Sequence, residues 1–305
     1  MVLNNNGDFI VAKLGELYRK LTDTDITVLE YMVSNLKSYE YIPIEIIIKK
    51  FKKIWSQKEI MARIKKLNEL GFIERHLTIE AYRLRALGLD CVAISRLVKN
   101  NIIKALGDVI GTGKESVIFN GLAFNDNVVA IKFYRIGRRS FRHIAKVRRY
   151  GMNLEGNLWL IRSIVAGERE GSALTILNKY NIAGIPKIYG YALHTVVIEF
   201  INGTNLYKIN ELDNPLEVFN QVVDIIKNAY KFAGIIHGDL SEYNIMIQYD
   251  EVIKTYIIDW PQYVLANDPQ ALETLKRDII HLTKFFNRKF KINMHPNAIL
   301  ENILS

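Results

Sequence analysis

Two carboxylates and an amide late in the chain are spaced for phosphoryl transfer. His237-Gly238-Asp239-Leu240-Ser241-Glu242-Tyr243-Asn244 carries Asp239 and, across Asp-x4-Asn, Asn244; Ile258-Asp259-Trp260 adds the second carboxylate. Asp239 can accept the proton of an attacking hydroxyl, and Asn244 with Asp259 can hold the metal ions that neutralise phosphates. Apolar runs on either side read as short strands. The competing description is a polar hairpin of ordinary turn residues. His237 is expected to support the loop by a hydrogen bond and to take no part in the reaction.

Further upstream, Ile110-Gly111-Thr112-Gly113-Lys114-Glu115-Ser116 reads as a Gly-rich turn between strands. Glycine lets backbone N–H groups come close to phosphates. A Walker A loop would lead into a helix, whereas a strand follows here, and the third glycine of the usual kinase loop is absent. Val129-Ala130-Ile131-Lys132 comes next. Alternation turns Lys132 inward, and an inward lysine on an apolar strand needs an anionic partner. Glu170, on a long helix, is the expected partner, and Glu168 on another helical face is the competitor. Glu199-Phe200-Ile201 ends a strand before Asn202-Gly203 and is expected to form a hinge whose backbone groups meet adenine.

These residues need strands and helices to hold them, and the pattern supplies both. Up to about residue 90 the chain reads as helices closed by a small hairpin. Phe9 to Lys20 is amphipathic, Thr24-Asp25 opens a second helix, and Ile44 to Phe51 forms a third behind Pro43. Ser56 and Glu59 make a capping box for a fourth. Phe72-Ile73-Glu74 and Tyr82-Arg83-Leu84 read as the hairpin. Helices followed by a hairpin predict a winged-helix domain over 1–90. Its recognition helix would be Gln57 to Leu70, with Lys58, Arg63, Lys65 and Lys66 outward for a nucleic acid; a protein-binding role fits the same face. Only His76 to Ala81 separates the strands, which is short for a wing that reaches nucleic acid. Gly88 to Val98 reads as a bridging helix. Strands and then helices follow over 91–305, predicting an α+β, two-lobed kinase-like domain with an N-lobe at about 100–200 and a C-lobe at about 201–305.

Bulk properties narrow the class. The 305 residues are 49% hydrophobic and 24% charged, as in globular proteins. No apolar run approaches the roughly 20 residues that span a bilayer. Met1 to Asn6 has no basic region leading into an apolar stretch, so the expectation is a cytoplasmic protein without a signal peptide. Cys91 is the single cysteine, which excludes an internal disulfide. The net charge of +9 favours polyanionic partners. Arg135, Arg138, Arg139, Arg142, Lys146, Arg148 and Arg149 form an acid-free block, read either as a solvated helix face or as a loop contacting nucleic acid or substrate.

Taken together, these strings resemble the RIO atypical protein kinases, and within them the second, winged-helix-bearing subfamily. The resemblance rests on Gly111 to Ser116, on Ala130-Ile131-Lys132 with Gly137-Arg138-Arg139-Ser140-Phe141-Arg142, and on Trp159 and Glu170. It rests also on Ile201-Asn202-Gly203, the His237 to Asn244 loop and Ile258-Asp259-Trp260-Pro261-Gln262. It implies a minimal kinase fold that binds ATP with magnesium, or manganese in its place. Gly111, Gly113, Lys114, Ser116, Lys132, Glu170, Glu199 and Ile201 would serve the nucleotide. It implies serine/threonine kinase or ATPase activity, autophosphorylation with Ser140 as a candidate site, and Asp259 as a transient phosphoryl acceptor. It also implies work in maturation of the small ribosomal subunit, on a pre-ribosomal particle of rRNA and ribosomal proteins. Gly238 stands where His-Arg-Asp kinases have arginine, and Trp260-Pro261 where others have Phe-Gly, so activation-loop control is not expected. Two alternatives share part of the pattern. One is a small-molecule phosphotransferase of the aminoglycoside- or choline-kinase kind, although only about 45 residues follow Asp259. The other is a non-catalytic pre-rRNA-binding assembly factor.

Overall fold

A computed structural model describes residues 14–137 and 156–305. The chain divides into two compact units, Met1–Gly167 with Tyr191–Thr195, and Glu168–Gly190 with Val196–Ser305. Ser140 and the stretch from Arg138 to Arg149 lie outside the described residues, as does the start of the first expected helix.

The first unit opens with helices α1 (Leu14–Tyr18) and α2 (Asp23–Ser34), strand β1 (Ile42–Pro43), and helices α3 (Ile44–Phe51) and α4 (Gln57–Glu69). Strands β2 (Ile73–Arg75) and β3 (Ala81–Leu84) and helix α5 (Ala86–Lys99) complete it. The sheet order is β1-β3-β2. This is the expected winged helix. Leu29, Met32, Ile47, Phe51, Ile60, Ile64 and Phe72 are buried and form its core. The Ser56–Glu59 capping box forms as read. Helix α2 starts earlier than Thr24-Asp25 suggested. Thr22 is its cap and Asp25 the reciprocal acceptor, so an aspartate fills the place usually held by glutamate.

That same Asp25 corrects the reading of the recognition helix. Its carboxylate is 1% exposed and lies 2.6 Å from Lys66 Nζ and 3.6 Å from Arg63. Burial alone would push the carboxyl up; the Lys66 and Thr22 hydrogen bonds outweigh it and hold the carboxyl below its ordinary value. Arg63 and Lys66 therefore tie α4 to α2, and of the four cations Lys58 and Lys65 stay on the exposed face. Residues 76–80 connect β2 to β3, contain neither Lys nor Arg, and leave Leu77 99% exposed. The wing tip thus exposes Leu77 and Ile79 and carries no lysine or arginine for a phosphate.

Helix α5 runs unbroken across the expected boundary at residue 90. Beyond it come β4 (Ile103–Thr112), β5 (Ser116–Ala123) and β6 (Val128–Tyr134), an antiparallel meander. They belong to a five-stranded sheet of order β4-β5-β6-β8-β7, with β7 (Ile188–Ala192) and β8 (Thr195–Glu199). Helix α6 (Leu158–Lys179) begins in this unit.

The second unit holds the remainder of α6, β9 (Thr204–Asn205), α7 (Pro215–Asn228) and β10 (Ile235–Ile236). It continues through β11 (Ile245–Tyr249), β12 (Ile253–Ile257), β13 (Val264–Leu265), α8 (Ala271–Phe290) and α9 (Pro296–Leu304). Val218, Phe219, Val222 and Ile226 on α7, with Leu275, Ile279, Leu282 and Phe286 on α8, place apolar residues at helical spacing in one core. Phe219 and Phe286 meet edge-on, 5.2 Å between ring centres. Helix α7 ends at Asn228, passes into a wider turn over Ala229–Ala233, and stops at Gly234 with φ 63°. The sequence reading missed α9, a short helix with proline in its first turn that buries Ile299 and Ile303. Among the described residues, no helix is long and apolar enough to cross a membrane.

Candidate active site

In the first unit, the Gly-rich turn is closed by Gly113 N–H donating to the Ser116 carbonyl, 2.8 Å. Gly111 and Gly113 have no positive φ, and a Cβ at either would make only ordinary contacts, the nearest at 3.7 and 3.6 Å. Neither the backbone nor any neighbour among the described residues demands glycine there. Gly121 differs, since a Cβ would stand 2.6 Å from the Ala105 carbonyl. Lys114 is exposed, and Ser116 is partly so.

Lys132 lies on β6 opposite Ile118 and is 8% exposed. Its Nζ donates to the Tyr134 hydroxyl, 2.9 Å, and sits 4.5 Å from that ring's centre. The tyrosine two residues on shares the face of Lys132, as strand alternation requires.

The catalytic-loop set gathers in the second unit. Ile245 pairs with Ile257, and Ile258 N–H donates to the Asn244 carbonyl at 2.9 Å. Asn244 and Asp259 therefore leave the β11–β12 hairpin at the same end, which is what their spacing in sequence is for. Asn244 Nδ2 donates to the Asp239 carbonyl, 2.8 Å. That bond directs the other amide atom, an oxygen, away from Asp239. Asp239 itself is exposed, so its carboxylate is offered outward while its backbone is held.

His237 braces this loop. Its Nε2 donates to the Ile258 carbonyl at 3.0 Å, and its Nδ1 accepts from Asp239 N–H at 3.3 Å. Its ring packs 4.6 Å from that of Trp260. Trp260 is 1% exposed, with Nε1 donating to the Ile257 carbonyl. Its N–H lies 3.3 Å from Glu170 Oε1. Glu170 is 2% exposed and Glu168 is exposed, so of the two acids on α6 Glu170 is the one built into the structure. Lys132 and Glu170 belong to different units.

Asp259 sits at φ 69°, a left-handed conformation uncommon for a residue with a side chain. Such strain concentrates at functional sites and persists where neighbours enforce it. The bonds of Ile258 N–H and Trp260 N–H pin the chain on both sides of it.

Gly238 has a local explanation that the sequence did not reveal. Its φ is 83°, and a Cβ would stand 2.3 Å from the Gln262 carbonyl. No other residue fits without moving backbone. We expect Gly238→Ala to destabilise the protein by about 2–4 kcal/mol, from left-handed strain plus the clash. Urea unfolding measures this, and an unchanged midpoint would contradict the packing described.

Three supporting residues escaped the sequence reading. Asp278 on α8 is 2% exposed, and its Oδ2 accepts from Gly238 N–H at 2.8 Å. Burial pushes its carboxyl up, opposed by His237 and that N–H. Arg277 donates to the Gly238 carbonyl, so α8 grips both sides of the loop. Arg169 donates to the carbonyls of Pro261 and Tyr263 and lies over the Tyr263 ring. Asp278 did carry a signal: it interrupts the apolar stripe Leu275, Ile279, Leu282, where a carboxylate needs buried donors.

At the hinge, Glu199 N–H is already committed to the Lys187 carbonyl, 2.8 Å, and Glu199 Oε1 accepts from Lys187 N–H. That N–H is therefore not available to a base.

Among the described residues, no three His, Cys, Asp or Glu side chains form a metal cluster. An amide oxygen and a carboxylate still suit magnesium, which is bound through one or two carboxylates and completed by water and phosphate oxygens.

Comparison with known proteins shows two matching families, the RIO domain over residues 117–299 and the Rio2 N-terminal region over residues 18–100. The RIO-type serine/threonine-protein kinase Rio2 of Methanocaldococcus jannaschii is 31% identical, over 87% of this chain and 96% of that protein. Serine/threonine-protein kinase RIO2 of Caenorhabditis elegans is 31% identical over 73% of this chain but only 41% of its own length. The crystal structure of the Rio2 kinase–ADP/Mg2+–phosphoaspartate complex from Chaetomium thermophilum aligns with TM-score 0.81 and 26% identity. That alignment covers 94% of this chain and 87% of the other.

Proposed function

Because the chain belongs to the RIO family of serine/threonine protein kinases, with the Rio2 N-terminal region ahead of its RIO domain, we propose that it is an ATP- and magnesium-dependent kinase and ATPase of small-ribosomal-subunit maturation, able to phosphorylate itself. The observation that carries the catalytic part is the convergence of Asp239, Asn244 and Asp259 at one hairpin end, joined by the Asn244–Asp239 bond.

Each residue has a task in this reading. Lys132 and the 111–116 turn receive the phosphates; glycines that no described neighbour requires fit a close approach by a ligand. Asn244 through its amide oxygen and Asp259 through its carboxylate hold magnesium, which supplies charge neutralisation when bound. Asp239 orients the attacking hydroxyl and takes its proton. Glu170, the buried acid of α6, serves the nucleotide. The Glu199 carbonyl and the Ile201 N–H meet adenine. Asp259 is also the acceptor of a transient phosphoryl group: a carboxylate oxygen attacks the γ-phosphorus, ADP leaves, and water hydrolyses the acyl phosphate. The phosphoaspartate complex of the Chaetomium protein supports this. The buried Trp260 and the glycine at 238 support an active site without activation-loop control.

The partner is a pre-ribosomal particle in the cytoplasm, reached through Lys58 and Lys65 of α4 and the basic stretch from Arg138 to Arg149. Affinity for small-subunit rRNA should fall as salt rises, with a log–log slope set by the phosphates contacted. A salt-independent affinity would remove the phosphate-contact part of the reading.

Labelled ATP decides the catalytic part. With and without small-subunit particles, both phosphoprotein and free phosphate should appear and require magnesium. Purified protein that forms neither overturns the proposal. The small-molecule phosphotransferase alternative would instead show turnover only with an added aminoglycoside or choline-like acceptor.

A further inference from the structure

Arg135 was read as one cation of a basic block, yet it is 4% exposed and sealed into the first unit. Its Nη2 lies 2.7 Å from Asp90 Oδ2, and its Nη1 donates to the Tyr134 carbonyl at 3.0 Å. His194, in the β7–β8 turn, donates from Nε2 to Asp90 Oδ1, 2.7 Å. Both Asp90 oxygens are thus engaged, one by the end of β6 and one by the hairpin turn. Asp90 and His194 are 4% and 1% exposed. Burial alone would push the Asp90 carboxyl up, but Arg135 and His194 hold it down, while burial keeps His194 neutral. The cluster is one buried ion pair with a neutral donor attached.

Its position is what gives it consequence. Asp90 stands on α5, inside the stretch matched by the Rio2 N-terminal region, while Arg135 and His194 fall in the RIO domain. The Arg135 backbone N–H donates to the Glu115 carbonyl, within the Gly-rich turn. Tyr134, one residue earlier, donates its N–H to the His194 carbonyl at 2.9 Å and holds Lys132 Nζ through its hydroxyl at 2.9 Å. Bonds through residues 134, 135 and 194 link α5 to Lys132 and to the turn, all within one compact unit.

We propose that Asp90, Arg135 and His194 are positioning residues for nucleotide: by fastening the end of β6 to helix α5 they fix Lys132 and the 111–116 turn where the phosphates of ATP bind, so that nucleotide affinity depends on the winged-helix region. This rests on the ATP reading above. Two physical facts favour it over a purely stabilising role. Buried ion pairs add little net stability compared with apolar residues of similar size, so stability alone does not account for the cluster. The cluster is also bonded, through backbone and tyrosine, to the two elements that would touch phosphate.

The test uses the whole 305-residue chain and three variants, Asp90→Asn, Arg135→Lys, and the double Asp90→Asn/Arg135→Met, with MgATP as the probe. Losing a charge-assisted hydrogen bond should weaken MgATP binding and raise its KM by about tenfold, with kcat at saturating ATP within about twofold of the parent. The rise in melting temperature on adding ATP should shrink in the variants. The double variant removes the buried charge without leaving an unpaired one, so it remains folded if a single substitution does not. A folded variant with parental KM and parental ATP-induced stabilisation overturns the inference while leaving the kinase reading intact. A parent protein that binds no MgATP overturns both.

Discussion

Asp239→Ala should lower ATP-dependent phosphoryl transfer by about 10²- to 10⁴-fold, the range a positioned acid–base group supplies, while leaving the fold in place. The two effects separate because of how the loop is held. Among the described residues Asp239 bonds to the scaffold through its backbone: its N–H donates to His237 and its carbonyl accepts from Asn244. Its side chain is exposed and can be cut back without opening a cavity. His237→Ala makes the contrast, since that ring bridges the Ile258 carbonyl and Asp239 N–H and packs on Trp260. It should lower the unfolding midpoint and activity together. Labelled-phosphate incorporation and thermal melting on both variants check this. Undiminished phosphorylation by folded Asp239→Ala would remove Asp239 from the chemistry.

What could be read in advance follows a physical division. Local rules were legible: the Ser56–Glu59 box, helix α3 behind Pro43, and the strand after the Gly-rich turn appear as expected, because each depends on neighbours within a few residues. Charges were read poorly, since a cation's partner lies elsewhere in the chain. Arg63 and Lys66 looked like an outward basic face until Asp25 proved to be buried beneath them. Arg135 looked like part of a basic run until Asp90 and His194 enclosed it. Gly238 is the same lesson for backbone: glycine is demanded there by the Gln262 carbonyl, which no window around residue 238 contains. For the candidate site, the sequence named residues, and the structure added the frame that holds them: Asp278, Arg277 and Arg169.

Asp259→Asn should abolish most turnover without loss of stability, and the left-handed backbone is the reason the two can be told apart. At φ 69° most residues are strained, whereas asparagine tolerates this region about as well as aspartate. The substitution also keeps the size of the side chain, so Ile258 and Trp260 can keep the bonds that pin this turn. What disappears is the one negative charge that, in the proposed reading, faces magnesium and the phosphates. Charge stabilisation by a metal is worth several kcal/mol at the transition state, so turnover should fall by about 10²- to 10⁴-fold. The apparent magnesium requirement should shift to higher concentration, and raising magnesium or manganese should recover part of the rate. Asp259→Ala should lose activity similarly but also cost about 1 kcal/mol of stability, since alanine pays for the left-handed φ. If Asp259 also accepts the phosphoryl group, hydroxylamine-labile label should be present in the parent protein and absent from both variants. Magnesium titrations of turnover alongside urea unfolding check these expectations. Parental turnover at parental magnesium in Asp259→Asn would show that the carboxylate neither holds the metal nor accepts phosphate.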